Sequence, residues 1–454
     1  MNARSSLNAT GGLSDQRGRF CMWALDSGIG LNHHSDRTRE GDSTAIMGTN
    51  ANRPGPESPR ATWREVPSTV LTLGLVSLLM DISSELVHAL LPVFLASVVG
   101  ASTVTIGLIE GVAEATAAIT KVFSGALSDR IGNRKLLIGI GYGLAALTKP
   151  VFPLASTSGQ ILAARFIDRI GKGIREAPRD ALIADVTPEG IRGASYGLRQ
   201  SLDTIGAFAG PLLAVALMAL YDDIRAVFWW SALPAVLAVL LILFGVHEPR
   251  TSAPEPRRNW PIHARELRRL PRAYWIVVAI GAVFALARFS EAFLVLKAQA
   301  DGLALSLIPL VYVLMNLIYA GVAMPAGILS DRIGRSNVLT CGLVVLTAAD
   351  LTLAFVPGLV GTAIGVALWG LYLGLSQGLL SALVADTAPP ELRGTGFGLF
   401  NLVTGGALLI ASLLAGWLWH AHGSQATFMA GAGFSLATLV LMMTALRTRP
   451  APNA

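Results

Sequence analysis

The stretch from Ile161 to Arg179 carries Arg165, Asp168, Arg169, Lys172, Arg175, Glu176 and Arg179 within an otherwise apolar run. Wound as a helix at 100° per residue, all seven fall within about 120° of one another, with Phe166, Ile167, Ile170 and Ile174 on the opposite side. Elsewhere Asp81, Glu85 and His88 recur at i, i+4 and i+7, on one helical face. Glu110 and Glu114 stand one turn apart with Lys121 beyond them, Arg199 is followed by Asp203, and Arg288 by Glu291. The pair Ser290-Glu291 echoes Ser84-Glu85. Such groups offer three kinds of chemistry. A carboxylate that gains or loses an arginine neighbour between two conformations binds a proton in one and releases it in the other. The arginine fork suits a carboxylate or phosphate on a solute. Asp81, Glu85 and His88 also offer donors for a divalent metal. A competing reading makes them a salt-bridge network: Lys121, Lys149, Arg165, Arg169, Lys172 and Arg175 against Asp81, Glu85, Glu110, Glu114 and Asp168 is six positive against five negative, the near-neutrality that mutual pairing requires.

The elements that carry these groups are apolar blocks of about 20 residues, the length that crosses a ~30 Å hydrocarbon core at 1.5 Å per residue. The chain is 53% hydrophobic and only 14% charged, against roughly 25% charged in soluble domains, so a soluble protein is excluded. Candidate spans run 67–99, 104–125, 136–155, 160–183, 194–219, 226–246, 273–297, 305–328, 338–356, 361–385, 395–419 and 425–446. Five charges facing lipid in the fourth of these would cost on the order of 15 kcal/mol. They must face protein or water.

The basic residues set the orientation. With the N-terminus cytoplasmic, the inside segments carry Arg130, Arg134, Lys135, Arg192, seven arginines from Arg250 to Arg272, Arg332, Arg335, Arg393, Arg447 and Arg449, and the outside loops carry Arg225 and Lys297. Sixteen against two places both termini in the cytoplasm of a multi-pass inner-membrane protein. This placement in loops accounts for the +6 net charge without nucleic acid. Residues 1–64 are polar and lack a signal-peptide core; they read as an unstructured cytoplasmic tail, or as an over-long start with translation beginning at Met47. A Pro- and Arg-rich linker at 247–272 then joins a bundle over 65–246 to one over 273–447, with a cytoplasmic tail at 448–454. Cys21 and Cys341 are too few for a disulfide framework, and no spacing suggests a structural metal or a cofactor.

The halves repeat. After the second span the chain reads Gly125-Ala-Leu-Ser-Asp129-Arg130-Ile-Gly132-Asn-Arg134-Lys135, and after the eighth Gly327-Ile-Leu-Ser-Asp331-Arg332-Ile-Gly334-Arg335. The offset is 327 − 125 = 202. A second pair, ADVTPEGIRGASYG from Ala184 and ADTAPPELRGTGFG from Ala385, repeats at an offset of 201 (Asp386 against Asp185). Two unrelated loop motifs at one separation make the halves parallel copies. The first loop closely resembles the signature between spans two and three of the major facilitator superfamily; the second departs at Ser336, where a basic residue is commoner. The resemblance covers about residues 65 to 447. It implies an all-α fold of twelve transmembrane helices in two six-helix bundles, a monomer, a cavity lined chiefly by spans one, four, seven and ten, and transport of a small molecule by alternating access. In the loop, Gly125 and Gly132 permit close helix approach, Asp129 is placed to latch a gate, and Arg130, Arg134, Lys135, Gly327, Asp331 and Arg332 anchor or pair there.

Span five reads Gly197-x8-Gly206-x3-Gly210-Pro211, which resembles the antiporter motif of facilitator exporters, departing at Ala214 and Val215. Physically it is a small-residue groove with a bend at Pro211; the second half lacks the Gly-Pro pair. Arg165 with Gly171 and Gly173 loosely resembles a span-four motif with a proton-related role. The expected function is proton-coupled antiport exporting a drug-like compound or organic anion; the alternatives are proton-coupled uptake of an anionic metabolite and divalent-metal efflux. A membrane enzyme is disfavoured, since no nucleotide loop, HExxH or GxSxG is present. The partners are then a small-molecule substrate, protons and membrane lipid, with no nucleic acid.

Overall fold

The computed structural model describes residues 66–131, 133–188, 191–246, 248, 267, 269–376, 379–389 and 392–447. The expected tails at 1–64 and 448–454, nearly all of the linker at 247–272, and Gly132 lie outside the described residues, as do the side chains of Asp129, Arg130 and Asp331.

Span one is Ser68–Val93, closing in a π-helical turn at Phe94–Val98. Span two is Thr103–Ile131, span three Arg134–Thr148 with the short Val151–Leu154, and span four Ser158–Val186. Span five is Arg192–Tyr221 and span six Ile224–Trp230 with Ala232–Gly245. In the second half, span seven is Arg272–Ala287 and Ala292–Ala300, span eight Leu310–Ile333 and span nine Arg335–Phe355. Span ten is Gly358–Ser376 and Leu379–Thr387, span eleven Arg393–His422 and span twelve Ser424–Arg447. Among the described residues ten helical passes are long and apolar enough to cross a membrane. Spans two and four, 29 residues each, have the length but carry the charges that opened the sequence argument. All-helical membrane architecture follows.

Local signals explain where helices begin. Asn133 caps span three by accepting from Leu136 N, and Thr157 with Gln160 forms a capping box that starts span four. Gly334, at φ 89°, makes the turn between spans eight and nine, a backbone conformation that a side chain disfavours.

Packing divides along the membrane normal. One apolar core contains residues of both halves; its N-half members are Leu86–Leu95, Ile106, Ile109, Phe152, Ala155, Ile161, Ala164 and residues 214–228, all toward the end where span one turns into span two. At the opposite end a core of Val70, Val76, Ile138, Leu182 and Ile242 belongs to the first half alone, and one of Tyr274, Val277, Val384 and Phe400 to the second. At that end neither of these two smaller cores contains a residue of the other half.

Candidate functional site: a charged cluster between the two halves

Span four points its charged face inward. Arg165, Asp168, Arg169, Arg175 and Arg179 are buried, whereas Phe166 and Ile167 are more than a third exposed. Helical spacing produces this division, because lipid cannot accept the charged stripe.

Part of the cluster is paired. Arg165 Nη2 donates to Glu110 Oε2 at 2.7 Å, with both side chains buried. Lys149, at the end of span three, donates to Asp168 Oδ1 at 3.1 Å and to Ser84 Oγ at 3.1 Å. Arg169 Nη2 stands 3.5 Å from Glu114 Oε1. His88 lies between two carboxylates, its ring nitrogens 3.6 Å from Glu85 and 3.5 Å from Glu110. Arg175 lies over the ring of Tyr142 at 4.4 Å, and Arg179 donates to Ser77 Oγ at 2.8 Å. These contacts tie spans one, two, three and four into one polar interior, as a salt-bridge network would. Removing one member of such a buried pair costs about 3–5 kcal/mol, chiefly for the stranded partner charge.

A second set is not paired. Asp81, Lys172, Arg288 and Glu291 are partly buried, yet none forms an ion pair with another described side chain. Lys172 lies on the charged face of span four and Asp81 on span one, while Arg288 and Glu291 belong to span seven. The span expected over 273–297 is found over Arg272–Ala300, and it carries an interruption. The helix stops at Ala287, Arg288 adopts a non-helical φ of −105° and ψ of 58°, and helix resumes at Ala292. Arg288 and Glu291 thus flank an interruption: Arg288 N–H closes the first segment on Ala285 O, and Glu291 O accepts from Leu294 and Val295 N–H as the second begins. Across from them, His88 meets Tyr312 of span eight with ring centroids 5.1 Å apart.

Asp81, Glu85 and His88 do not gather as a metal centre: among the described residues no three His, Cys, Asp or Glu side chains are placed to hold an ion. His88 directs its ring nitrogens to Glu85 and Glu110 instead.

The groove of span five packs directly behind the acidic face of span one. A Cβ at Gly206 would lie 2.7 Å from Leu78 O and 2.9 Å from Asp81 Cβ; one at Gly210 would lie 2.8 Å from Glu85 Cβ and 2.9 Å from Ile82 O. Pro211 is buried in the same helix. Gly197, the third member of the motif, has nothing within 4 Å, so the close contact is made by Gly206 and Gly210.

The repeated loop motifs meet each other. Arg134 pairs with Asp185 at 2.9 Å in the first half, and Arg335 with Asp386 at 2.7 Å in the second. Glu248 accepts from the backbone N–H of Arg134 and Lys135, placing a carboxylate at the start of span three, and Lys135 Nζ reaches Leu243 O. A Cβ at Gly125 would meet Ala177 only at an ordinary 3.6 Å and one at Gly327 would meet nothing within 4 Å, so the close helix approach expected at Gly125 is not found, and Arg332 is exposed.

Two contributors escaped the sequence reading. Tyr312 is buried with its hydroxyl unbonded; as one aromatic in an apolar span it carried no signal. Asp350, fully buried in span nine, did carry one, because it is a lone acid in an apolar run.

Known proteins place the chain. The sequence profile of the Major Facilitator Superfamily matches residues 73–404 and 292–454. An uncharacterised MFS-type transporter of Methanocaldococcus jannaschii is 32% identical over 387 residues, covering 84% of this chain and 95% of that protein. The inner membrane transport protein YajR of Escherichia coli is 25% identical over 401 residues, covering 86% and 84%. Among solved structures, the nucleoside transporter NupG superposes with a TM-score of 0.67 at 14% identity, over 84% of this chain and all of that one. The human organic anion transporter MFSD10 gives 0.60 at 20% identity, over 85% and 100%. With profile, relatives and fold in agreement, this chain belongs to the major facilitator superfamily and is a multi-pass membrane transporter of small molecules.

Proposed function

We propose that this transporter is a proton-coupled antiporter that exports an organic anion, with both termini and the linker on the cytoplasmic side. The observation that carries the reading is the contact of Gly206 and Gly210 with the turns of span one that bear Asp81 and Glu85. A motion of span five is thereby transmitted to the two carboxylates, and a carboxylate that moves relative to Lys172 and the arginines of span four exchanges its proton. The two smaller cores at the end that this orientation makes cytoplasmic each belong to one half alone, which suits an inward-facing conformation, ready to take solute from the cell.

Lys172 and Arg288 supply the substrate preference. They are cations without an ion-pair partner among the described residues, and a carboxylate or phosphate on the solute would complete them. Asp81 and Glu85 then carry protons that return as the anion leaves. Neither the paired set nor the groove supports metal efflux. The test uses inside-out vesicles with an acidified interior and a panel of radiolabelled organic anions. Accumulation that requires the gradient and fails in Lys172→Met supports export. Accumulation in right-side-out vesicles under an inward proton gradient would replace export by uptake.

A further inference from the structure

Asp350 lies in the last third of span nine, fully buried, and neither carboxyl oxygen has a hydrogen-bond partner among the described residues. The hydroxyls of Thr347 and Ser435 are engaged elsewhere: they share a hydrogen bond at 2.7 Å, and the one that accepts there donates to its own helix, at Leu343 O or Ala432 O. What borders the carboxyl is Gly431 of span twelve and Phe289 of span seven. A Cβ at Gly431 would lie 2.6 Å from Asp350 Oδ2 and 2.8 Å from Phe289 Cε1, so the missing side chain is what lets the carboxyl and the ring share this space. Spans seven and twelve thus present no charge to Asp350. Tyr372 of span ten is likewise buried with its hydroxyl unbonded, and no described cation forms an ion pair with Asp350.

Phe289 is more than a neighbour. It sits between Arg288 and Glu291 in the interruption of span seven and packs in a buried aromatic group with Phe293, Trp369 and Phe428, at centroid distances of 5.7, 5.4 and 5.7 Å. Whatever unseats Phe289 moves the two unpaired charges of the second half.

We propose that Asp350 is a proton-binding site of the second half whose occupied form locks Phe289 and with it the break in span seven. An ionised carboxylate buried without a partner is strongly disfavoured, and the neutral acid is the form this packing accepts. The proton leaves only when the contact at Gly431 opens and water reaches Oδ2. Opening that contact releases Phe289, so proton loss at Asp350 and displacement of Arg288 and Glu291 are one event. The inference rests on packing within the second half and stands whether or not Asp81 and Glu85 carry the coupled proton.

The test needs no substrate. Infrared spectra of the purified full-length protein should contain a protonated-carboxyl stretch at mildly alkaline pH that is slow to shift in heavy water; it should vanish in Asp350→Asn and persist in Glu85→Gln. Hydrogen–deuterium exchange at residues 287–292, corrected for the intrinsic pH dependence, should be slower in mild acid than in mild alkali for the wild type. It should stay slow at both in Asp350→Asn and fast at both in Gly431→Ala, whose methyl enters the shared space. Should Asp350→Asn fail to accumulate, Asp350→Leu replaces it, with the same expected loss of pH response. A wild type lacking the band, or a pH response that survives the loss of Asp350, overturns the proposal. Failure of proton-driven transport in vesicles, with these results intact, would count against the export reading alone.

Discussion

Arg134 and Asp185 form in the first half the ion pair that Arg335 and Asp386 form in the second, at 2.9 Å and 2.7 Å. The two pairs lie 201 positions apart (335 − 134 and 386 − 185), so Arg335 stands one place off the 202-residue register of the loop's Gly and Asp residues, in which Asn133 would be its counterpart. The two motifs whose repetition marked the halves as copies are thus the two ends of one contact, between the start of span three or nine and the end of span four or ten. Because these side chains are partly exposed, the pair contributes at most ~1 kcal/mol to stability. Arg134→Ala should leave the melting temperature nearly unchanged. Its effect should be on the conformational balance, read as altered labelling of a cysteine in the gate, and the charge-exchanged double variant Arg134→Asp with Asp185→Arg should restore the wild-type pattern. An unchanged labelling pattern in Arg134→Ala would make the pair an anchor only.

Paired and unpaired charges should separate stability from transport. Glu110→Gln strands Arg165 in a buried site and should destabilise by about 3–5 kcal/mol, lowering the melting temperature in detergent. Lys172→Met strands no partner, so the melting temperature should hold while solute flux is lost. Equal melting temperatures for the two variants would show that Arg165 finds water or another partner.

Proton coupling is tested at Glu85. Glu85→Gln keeps the shape and removes the titration, so gradient-driven accumulation should be lost while solute exchange without a gradient persists. If accumulation survives both this variant and Asp81→Asn, coupling passes to Glu110, Glu114 and Glu291.

At the groove, Gly210→Val puts its branch into Glu85 Cβ and Ile82 O, both within 3 Å of the ideal Cβ. Overpacking of this kind costs typically 1–3 kcal/mol, and here it pushes on the acid itself. Normal membrane abundance with lost accumulation is expected, whereas Gly197→Ala, with open space around it, should behave as wild type. Loss of accumulation in both would move the motif's role away from span one.

Orientation is checked by single cysteines in a background lacking Cys21 and Cys341. Positions Gly159 and Gly423, both exposed at helix starts, should react with an impermeant maleimide from outside, and Ser252 should not. The reverse pattern would invert the topology.

The sequence by itself determined the twelve-part pattern, the twofold repeat and the inward face of span four. Each follows from a local rule: hydrocarbon thickness sets segment length, helical pitch sets which residues share a face, and charge cannot face lipid. It also brought Asp81, Glu85, Glu110, Glu114 and Arg165 forward as one cluster. Only the tertiary structure decided which of them are partners. Whether Arg165 meets Glu110, whether Lys172 meets nothing, and whether Gly210 lies behind Glu85 depend on distances between helices far apart in the chain, and periodicity along one helix is silent on these. The break at Arg288–Glu291 belongs with them: neither proline nor glycine occurs there, a local mark is Ser290, whose hydroxyl accepts from Ala292 N–H where the helix resumes, and Phe289 packs against aromatic side chains of spans ten and twelve.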